Sequence, residues 1–261
     1  MGFPLRLQDL TLRVGALEPM LAFYRDLLGL RLEANPPRYR LYPEGGAFSL
    51  FLLHHPEAPL RPYPSVGLYH FALLLPSRTA LAGVFRRLLQ GGAHFEGAAD
   101  HGVSEALYFR DPEGNGLEVY RDRPEGAWPK GPLMFTAPLD LEGLLAETPH
   151  PTPLPPGTRL GHLHLHVERL EEAEAFFSGR LGMAVTLRTY PEALFFAWDG
   201  YHHHVGANTW AGERKAPEGA TGLLGYTLLA PKGVSPGRLL DPAGAWAERL
   251  PDGAELQDQP R

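Results

Sequence analysis

Residues 7–29 recur at 160–182 without a gap. At that offset of 153, Leu7, Leu10, Leu12, Val14, Leu17, Glu18, Ala22, Phe23, Leu28 and Gly29 all fall on identical residues. Agreement this dense is a duplication, and it restricts the chain to folds built from repeated small units. The repeated piece reads as a strand and a helix. Residues 5–14 alternate apolar with polar. Leu17, Met20, Leu21, Tyr24, Leu27 and Leu28 then follow helical spacing over 16–28, and Gly29 stops it. Short alternating segments near 30–34, 38–42 and 47–53 complete a βαβββ module.

A second module begins with the strand Gly67–Pro76. Ser77 caps a helix that runs to about Leu89, Gly91-Gly92 ends it, and strands continue to Tyr120. This unit also recurs. Gly67-Leu68, Leu73-Leu74 and Pro76 match Gly222-Leu223, Leu228-Leu229 and Pro231. The turn Asp111-Pro112-x-Gly114-x-x-x-Glu118 matches Asp241-Pro242-x-Gly244-x-x-x-Glu248. His70 and Glu118 lie 48 residues apart but the corresponding Gly225 and Glu248 only 23, so the fourth unit has lost about a helix and a strand. The expected fold is α+β: four tandem βαβββ modules, the last truncated, pairing into curved mixed sheets whose open faces form cups suited to small ligands.

Pro124, Pro129, Pro132 and Pro138 interrupt the chain after module two, and Glu142–Ala146 reads as a short helical turn. Pro151, Pro153, Pro155 and Pro156 make a stiff linker. The expected division is 1–145 for modules one and two, 146–159 for the linker, and 160–261 for modules three and four. A net charge of −6 argues against nucleic acid as a partner. No apolar run reaches membrane-span length, and the N-terminus lacks a signal-peptide pattern. Cysteine is absent, which excludes disulfides, thiolate metal sites and cysteine nucleophiles and fits a cytoplasmic location.

Matched positions in the first strands hold Asp9, His70, His162 and Gly225; the last strands of modules two and four hold Glu118 and Glu248. Modules two and three together therefore offer two imidazoles and a carboxylate, the set that holds Fe(II) or Mn(II) on one side and leaves positions open. Asp9, Gly225 and Glu248 include no imidazole, and no metal is expected there. His162, His164 and His166 alternate along one strand and share a face. Tyr201-His202-His203-His204 reads as the opening of module three's last strand, with His203 on the opposite face from His202 and His204. An imidazole from this group can serve as an acid–base residue. Trp210, Tyr201, Phe195 and Phe196 are candidate pocket walls. His54 and His55 read as a surface turn.

The segment His101, five residues, Leu107-Tyr108, two residues, Asp111-Pro112-x-Gly114, three residues, Glu118 resembles the signature of extradiol ring-cleaving dioxygenases, especially the catechol 2,3-dioxygenase-like branch. These belong to the vicinal oxygen chelate superfamily, built from paired βαβββ modules, the glyoxalase/extradiol dioxygenase fold. Ala99 is one departure from the signature. Gly67–Pro76, Gly161–Val167 and Tyr201–Trp210 are also similar to that branch. The resemblance implies a non-haem Fe(II) site of His70, His162 and Glu118, with Mn(II) as the alternative ion. It implies that Tyr108 and His101 hydrogen-bond substrate oxygens and that His203 is the acid–base group, with His202 second. The implied reaction inserts O2 into a small aromatic diol. In most of these enzymes the signature lies in the fourth module; here it lies in the second, so modules two and three must form the active pair. The alternatives on the same scaffold are a glyoxalase-type metal-dependent lyase or isomerase and a non-catalytic small-molecule-binding protein. The short fourth module would leave an apolar edge that a second copy of the chain could cover, making a homo-oligomer.

Overall fold

The computed structural model describes residues 6–130 and 134–251. Leu5, the expected start of the first strand, and Pro132 lie outside them. Module one comprises β1 (Leu7–Val14), α1 (Leu17–Leu21), β2 (Arg31–Asn35), β3 (Arg38–Tyr42) and β4 (Ser49–His54). Module two comprises β5 (Gly67–Leu74), α2 (Arg78–Gln90), β6 (His94–Asp100), β7 (Ser104–Arg110) and β8 (Gly116–Asp122). A short α3 (Leu141–Leu145) follows. Module three comprises β9 (Arg159–His166), α4 (Leu170–Glu174), β10 (Ala184–Leu187), β11 (Ala193–Ala197) and β12 (Val205–Asn208). Module four keeps only β13 (Gly222–Ala230), β14 (Gly237–Leu240) and β15 (Trp246–Pro251) among the described residues, one helix and one strand short as the spacing foretold.

The first strand of every module lies parallel to its last: β1 to β4, β5 to β8, β9 to β12, β13 to β15. First strands of two modules then pair antiparallel, β5 with β9 and β1 with β13. The result is one sheet from modules two and three, in the order β10-β11-β12-β9-β5-β8-β7-β6, and another from modules one and four, in the order β14-β15-β13-β1-β4-β3-β2. Each sheet draws strands from both sides of the proline-rich segment. Among the described residues, no helix is long and apolar enough to cross a membrane.

The helix expected over 16–28 is α-helical only to Leu21 and continues as a π-helix, Ala22–Leu27, closed by Leu28 N–H to Phe23 C=O. Module three repeats the device: a π-helix at Ala175–Arg180 and Leu181 N–H to Phe176 C=O. The widened turn has been duplicated with the sequence that makes it. Hydrophobic spacing does not separate a π-turn from an α-turn over so short a run. In α2 the Ser77 side chain accepts from Ala80 N–H and Gly91 takes the C-terminal cap, as read from sequence. Leu81, Val84, Phe85 and Leu88 bury its inner face. The proline-rich segment is fastened to these helices: Leu154 N–H donates to Leu28 C=O and Thr152 N–H to Gly83 C=O. Gly29 (φ 86°) leaves no room for a side chain, since a Cβ there would lie 2.5 Å from Pro153 Cβ. With the helices covering one face of each sheet, the other face of the modules-two-and-three sheet is left to form a cup.

Candidate active site

Three strands carry the centre of that cup. Ala72 of β5 stands opposite His162 on β9 and opposite Glu118 on β8. A two-residue step along β5 puts His70 on the same face. The small Ala72, fully buried, leaves the space between its neighbours open for their longer side chains to lean into. His70 Nε2 lies 3.0 Å and His162 Nε2 3.1 Å from the same oxygen, Glu118 Oε2. The three ligand atoms lie within 4.8 Å of one another, and all three residues are buried. Ligands bound about 2.1 Å from a metal at right angles stand about 3 Å apart, so each imidazole nitrogen stands from the Glu118 oxygen as one corner of an octahedron stands from the next.

The electrostatics suit a divalent cation. Burial raises the Glu118 pKa, but the His162 and His70 imidazoles override it and hold the carboxyl well below its usual range. Burial lowers His162 despite the Glu118 charge. An ionised carboxylate with a neutral imidazole is the donor state that metal binding requires. Among the described residues, no lysine or arginine lines the cavity to neutralise the buried charge. The donor set therefore fits a facial two-histidine, one-carboxylate metal centre.

The cavity above these residues has a volume of about 160 Å³. Tyr108 and His101 meet on one wall. His101 Nδ1 lies 2.7 Å from Phe135 C=O, which only accepts, so that nitrogen carries the proton. Nε2 is then the acceptor for the Tyr108 hydroxyl at 2.8 Å. Burial first, then the Glu118 charge, pushes the Tyr108 phenol well above its ordinary pKa and keeps it a donor. His203 also lines the cavity, its ring centroid 4.0 Å from that of His162; burial and the surrounding imidazoles push its pKa well down.

Not every expectation about the walls holds. Phe195 and Trp210 line the cavity, but Phe196 is fully buried against Phe177, and Tyr201 donates its hydroxyl to Asp122 Oδ2 at 2.9 Å outside the lining. Residues 201–204 are not strand: β12 begins only at Val205, after left-handed Asp199 (φ 59°) and Gly200 (φ 78°) turn the chain. Alternation does not govern a bend, so His202 and His203 do not point apart but meet at 2.8 Å through their Nδ1 atoms. His202 lies outside the cavity lining, with its Nε2 3.0 Å from Asp122 Oδ1, while His204 accepts from Trp198 N–H. His54, at the end of β4, sets its Nε2 3.2 Å from Gly15 C=O and belongs to the sheet of modules one and four.

Other residues complete the cavity; the shared face of His162 and His164 was read from alternation, and the rest escaped sequence reading. Tyr69 neighbours His70, and a register shift in the β5–β9 pairing between Leu68 and His70 brings it onto the cup face. His164 lies on that face by alternation with His162; its Nε2 accepts from Asn208, and its ring rests over Gly206, where a Cβ would come within 2.9 Å. Ser104, Met134, Thr136 and Tyr190 come from loops or strand ends, where spacing gives no signal. Asp122 was legible: Glu118, Tyr120 and Asp122 are spaced by two along β8.

Comparison with known proteins follows the same geometry. Residues 6–119 match the family model described as the Glyoxalase/Bleomycin resistance protein/Dioxygenase superfamily. Over 232 residues the chain is 42% identical to a Bacillus subtilis (strain 168) protein named catechol-2,3-dioxygenase, covering 84% of this chain and 81% of that protein. The chain belongs to the glyoxalase/bleomycin resistance/dioxygenase superfamily. A second member, biphenyl-2,3-diol 1,2-dioxygenase 3 of Rhodococcus globerulus, is 31% identical over 45% of this chain and 63% of its own length. Solved structures show the superfamily fold at lower identity. A candidate dioxygenase from Bacillus subtilis subsp. subtilis str. 168 superposes with a TM-score of 0.67 at 15% identity, over 95% of this chain and 85% of its own. Glyoxalase I from Zea mays gives 0.58 at 15% identity, over 94% and 92%.

Proposed function

We propose that this protein is an extradiol dioxygenase of the catechol 2,3-dioxygenase type, which opens the ring of a small aromatic diol with O2. The observation that carries this reading is the convergence of His70, His162 and Glu118 at the floor of a cavity whose walls hold a phenol–imidazole pair and a separate imidazole. In this reading His70, His162 and Glu118 are the metal ligands. An Fe(II) ion held there supplies the Lewis acidity and the redox coupling between diol and dioxygen; the donor set suits Mn(II) as well.

The remaining work falls to the chain. Phe195, Tyr69, Tyr190 and Trp210 provide aromatic faces against which a single ring can stack, and they exclude water from it. Among the described residues neither lysine nor arginine lines the cavity, which favours an uncharged diol over one bearing a carboxylate. His203, on the wall nearest His162, takes the diol proton and returns it later in the reaction. Tyr108, kept protonated, and His101, fixed by Phe135, offer hydrogen bonds to substrate oxygens. A cytoplasmic location belongs to the same proposal.

Oxygen uptake by iron-loaded protein given catechol, with appearance of a yellow ring-fission product, tests the reading. Iron bound without uptake across several catechols would point to a lyase or isomerase instead. Failure to bind iron would point to a small-molecule-binding protein.

A further inference from the structure

Behind His203 runs a chain of hydrogen bonds that leaves the cavity. His203 Nδ1 lies 2.8 Å from His202 Nδ1, and His202 Nε2 lies 3.0 Å from Asp122 Oδ1. Asp122 Oδ2 accepts in turn from Tyr201, whose hydroxyl lies 2.8 Å from that of Tyr120. Both histidines are buried, at 1% and 6% exposure, so neither ring can exchange these partners for bulk water. The polarity of the chain is set at its far end. Asp122 accepts from Tyr201 on Oδ2, and with Oδ1 accepting as well, His202 donates to it from Nε2. In the tautomer whose one proton sits there, His202 offers a bare Nδ1, and His203 donates to it from its own Nδ1. One nitrogen of His203 remains, Nε2, which is bare and belongs to a ring lining the cavity.

We infer that Asp122 is a positioning residue: acting through His202, it fixes the tautomer and orientation of His203 so that Nε2 presents a lone pair to the substrate. This rests on the reading of His203 as the acid–base group of an extradiol site. The step it prepares moves one proton. The diol O–H bond breaks, its electron pair stays on the diol oxygen, and an N–H bond forms at His203 Nε2. With the opposite tautomer Nε2 would already hold a proton, and no acceptor would face the diol from that wall.

Two measurements decide it. Nitrogen-15 NMR of histidine-labelled full chain, loaded with Zn(II) as a diamagnetic stand-in for iron, should show His203 protonated at Nδ1 and bare at Nε2. Asp122→Ala should lose that signature. In the iron-loaded enzyme, Asp122→Ala and His202→Phe should each lower kcat by about 10- to 100-fold, the span of general acid–base contributions at their lower end. KM should change by less than roughly threefold, because a group that orients a base acts on the chemical step. Asp122→Asn keeps an oxygen to accept from His202. It should retain the wild-type tautomer and most of kcat, and it covers the case in which the alanine variant does not fold. A wild-type His203 protonated at Nε2, or a tautomer indifferent to Asp122→Ala, would overturn the inference. Failure of the wild-type enzyme to consume oxygen would overturn the functional reading alone, since the NMR result stands without turnover.

Discussion

Glu118 carries a negative charge beside the His70 and His162 imidazoles and the Tyr108 phenol, and that fact governs what its substitution does. Glu118→Gln keeps the shape of the side chain but removes the charge that attracts the cation. Bound iron, measured after anaerobic loading and desalting, should fall from about one per chain to less than roughly a tenth. In the metal-free protein the lowered Glu118 pKa means that the ionised carboxylate stabilises the fold, so metal-free Glu118→Gln should be less stable than the metal-free parent in urea denaturation at pH 7. Tyr120 supports the same centre from behind His162. A Cβ on Gly161 would lie 1.8 Å from its hydroxyl oxygen, and the Tyr120 ring packs 4.9 Å from that of His162. Gly161→Ala should therefore cost about 1–3 kcal/mol in urea denaturation and weaken metal binding with it. The residues at this centre were legible because His70, His162 and Glu118 occupy matched positions in repeated units. Asp122 was legible in principle, by the same alternation that places Glu118, but an aspartate at a strand end reads as solvated until its partner is known. That partner, His202, sits in a bend, where no periodicity predicts a direction.

The two Asp-Pro-x-Gly turns are the clearest element that the sequence repeats, and the structure repeats its chemistry. Asp111 accepts from the N–H groups of Glu113 and Asn115 and from the Tyr24 hydroxyl; Asp241 accepts from Ala243 and Ala245 N–H and from the Tyr226 hydroxyl. Gly114 (φ 81°) and Gly244 (φ 84°) supply the left-handed residue that each turn needs. Burial raises both carboxyls to about 6, against the pull of these donors. A pKa raised from 3.8 means that the native state holds a proton that the unfolded chain has released. The stability from each group is thus fully present below about pH 4 and is lost as pH rises through about 6. Asp241 lies in the turn between β14 and β15, in the sheet of modules one and four rather than the one that carries the metal centre, and isolates the effect. Relative to Asp241→Asn, the parent should gain roughly 1–3 kcal/mol between pH 7 and pH 4 in urea denaturation. A difference that did not vary with pH would show the carboxylate to be charged throughout. The turn's position was readable from its residues. The tyrosine that closes it was not, because Tyr24 and Asp111 belong to different modules and only the pairing of whole sheets brings them together.

At the scale of the molecule, the metal centre joins what the sequence separates. His70 and Glu118 come from module two and His162 from module three, so an ion bound there ties β5, β8 and β9 across the seam between two modules. Binding only to the folded state adds RT ln(1 + [L]/Kd), about 2.7 kcal/mol at a hundredfold excess over Kd. For a chain of this size each kcal/mol moves Tm by about 2–4 °C, so saturating Fe(II) or Mn(II) should raise Tm by about 5–10 °C, reversed by a chelator. The companion sheet provides the control. Its matched positions hold Asp9, Gly225 and Glu248, with no imidazole, and Thr227 stands beside Glu248 where Ala72 stands beside Glu118. Glu248→Gln should therefore leave the metal-induced shift intact, whereas His162→Ala and Glu118→Gln should each abolish it. Equal loss from Glu248→Gln would mean that the ion binds in the wrong cup, and the pairing of modules two and three as the functional unit would have to be given up. The duplication read from sequence supplies two cups of the same architecture. What distinguishes them is the side chains at a few matched positions, and this comparison asks whether those positions alone decide which cup takes the ion.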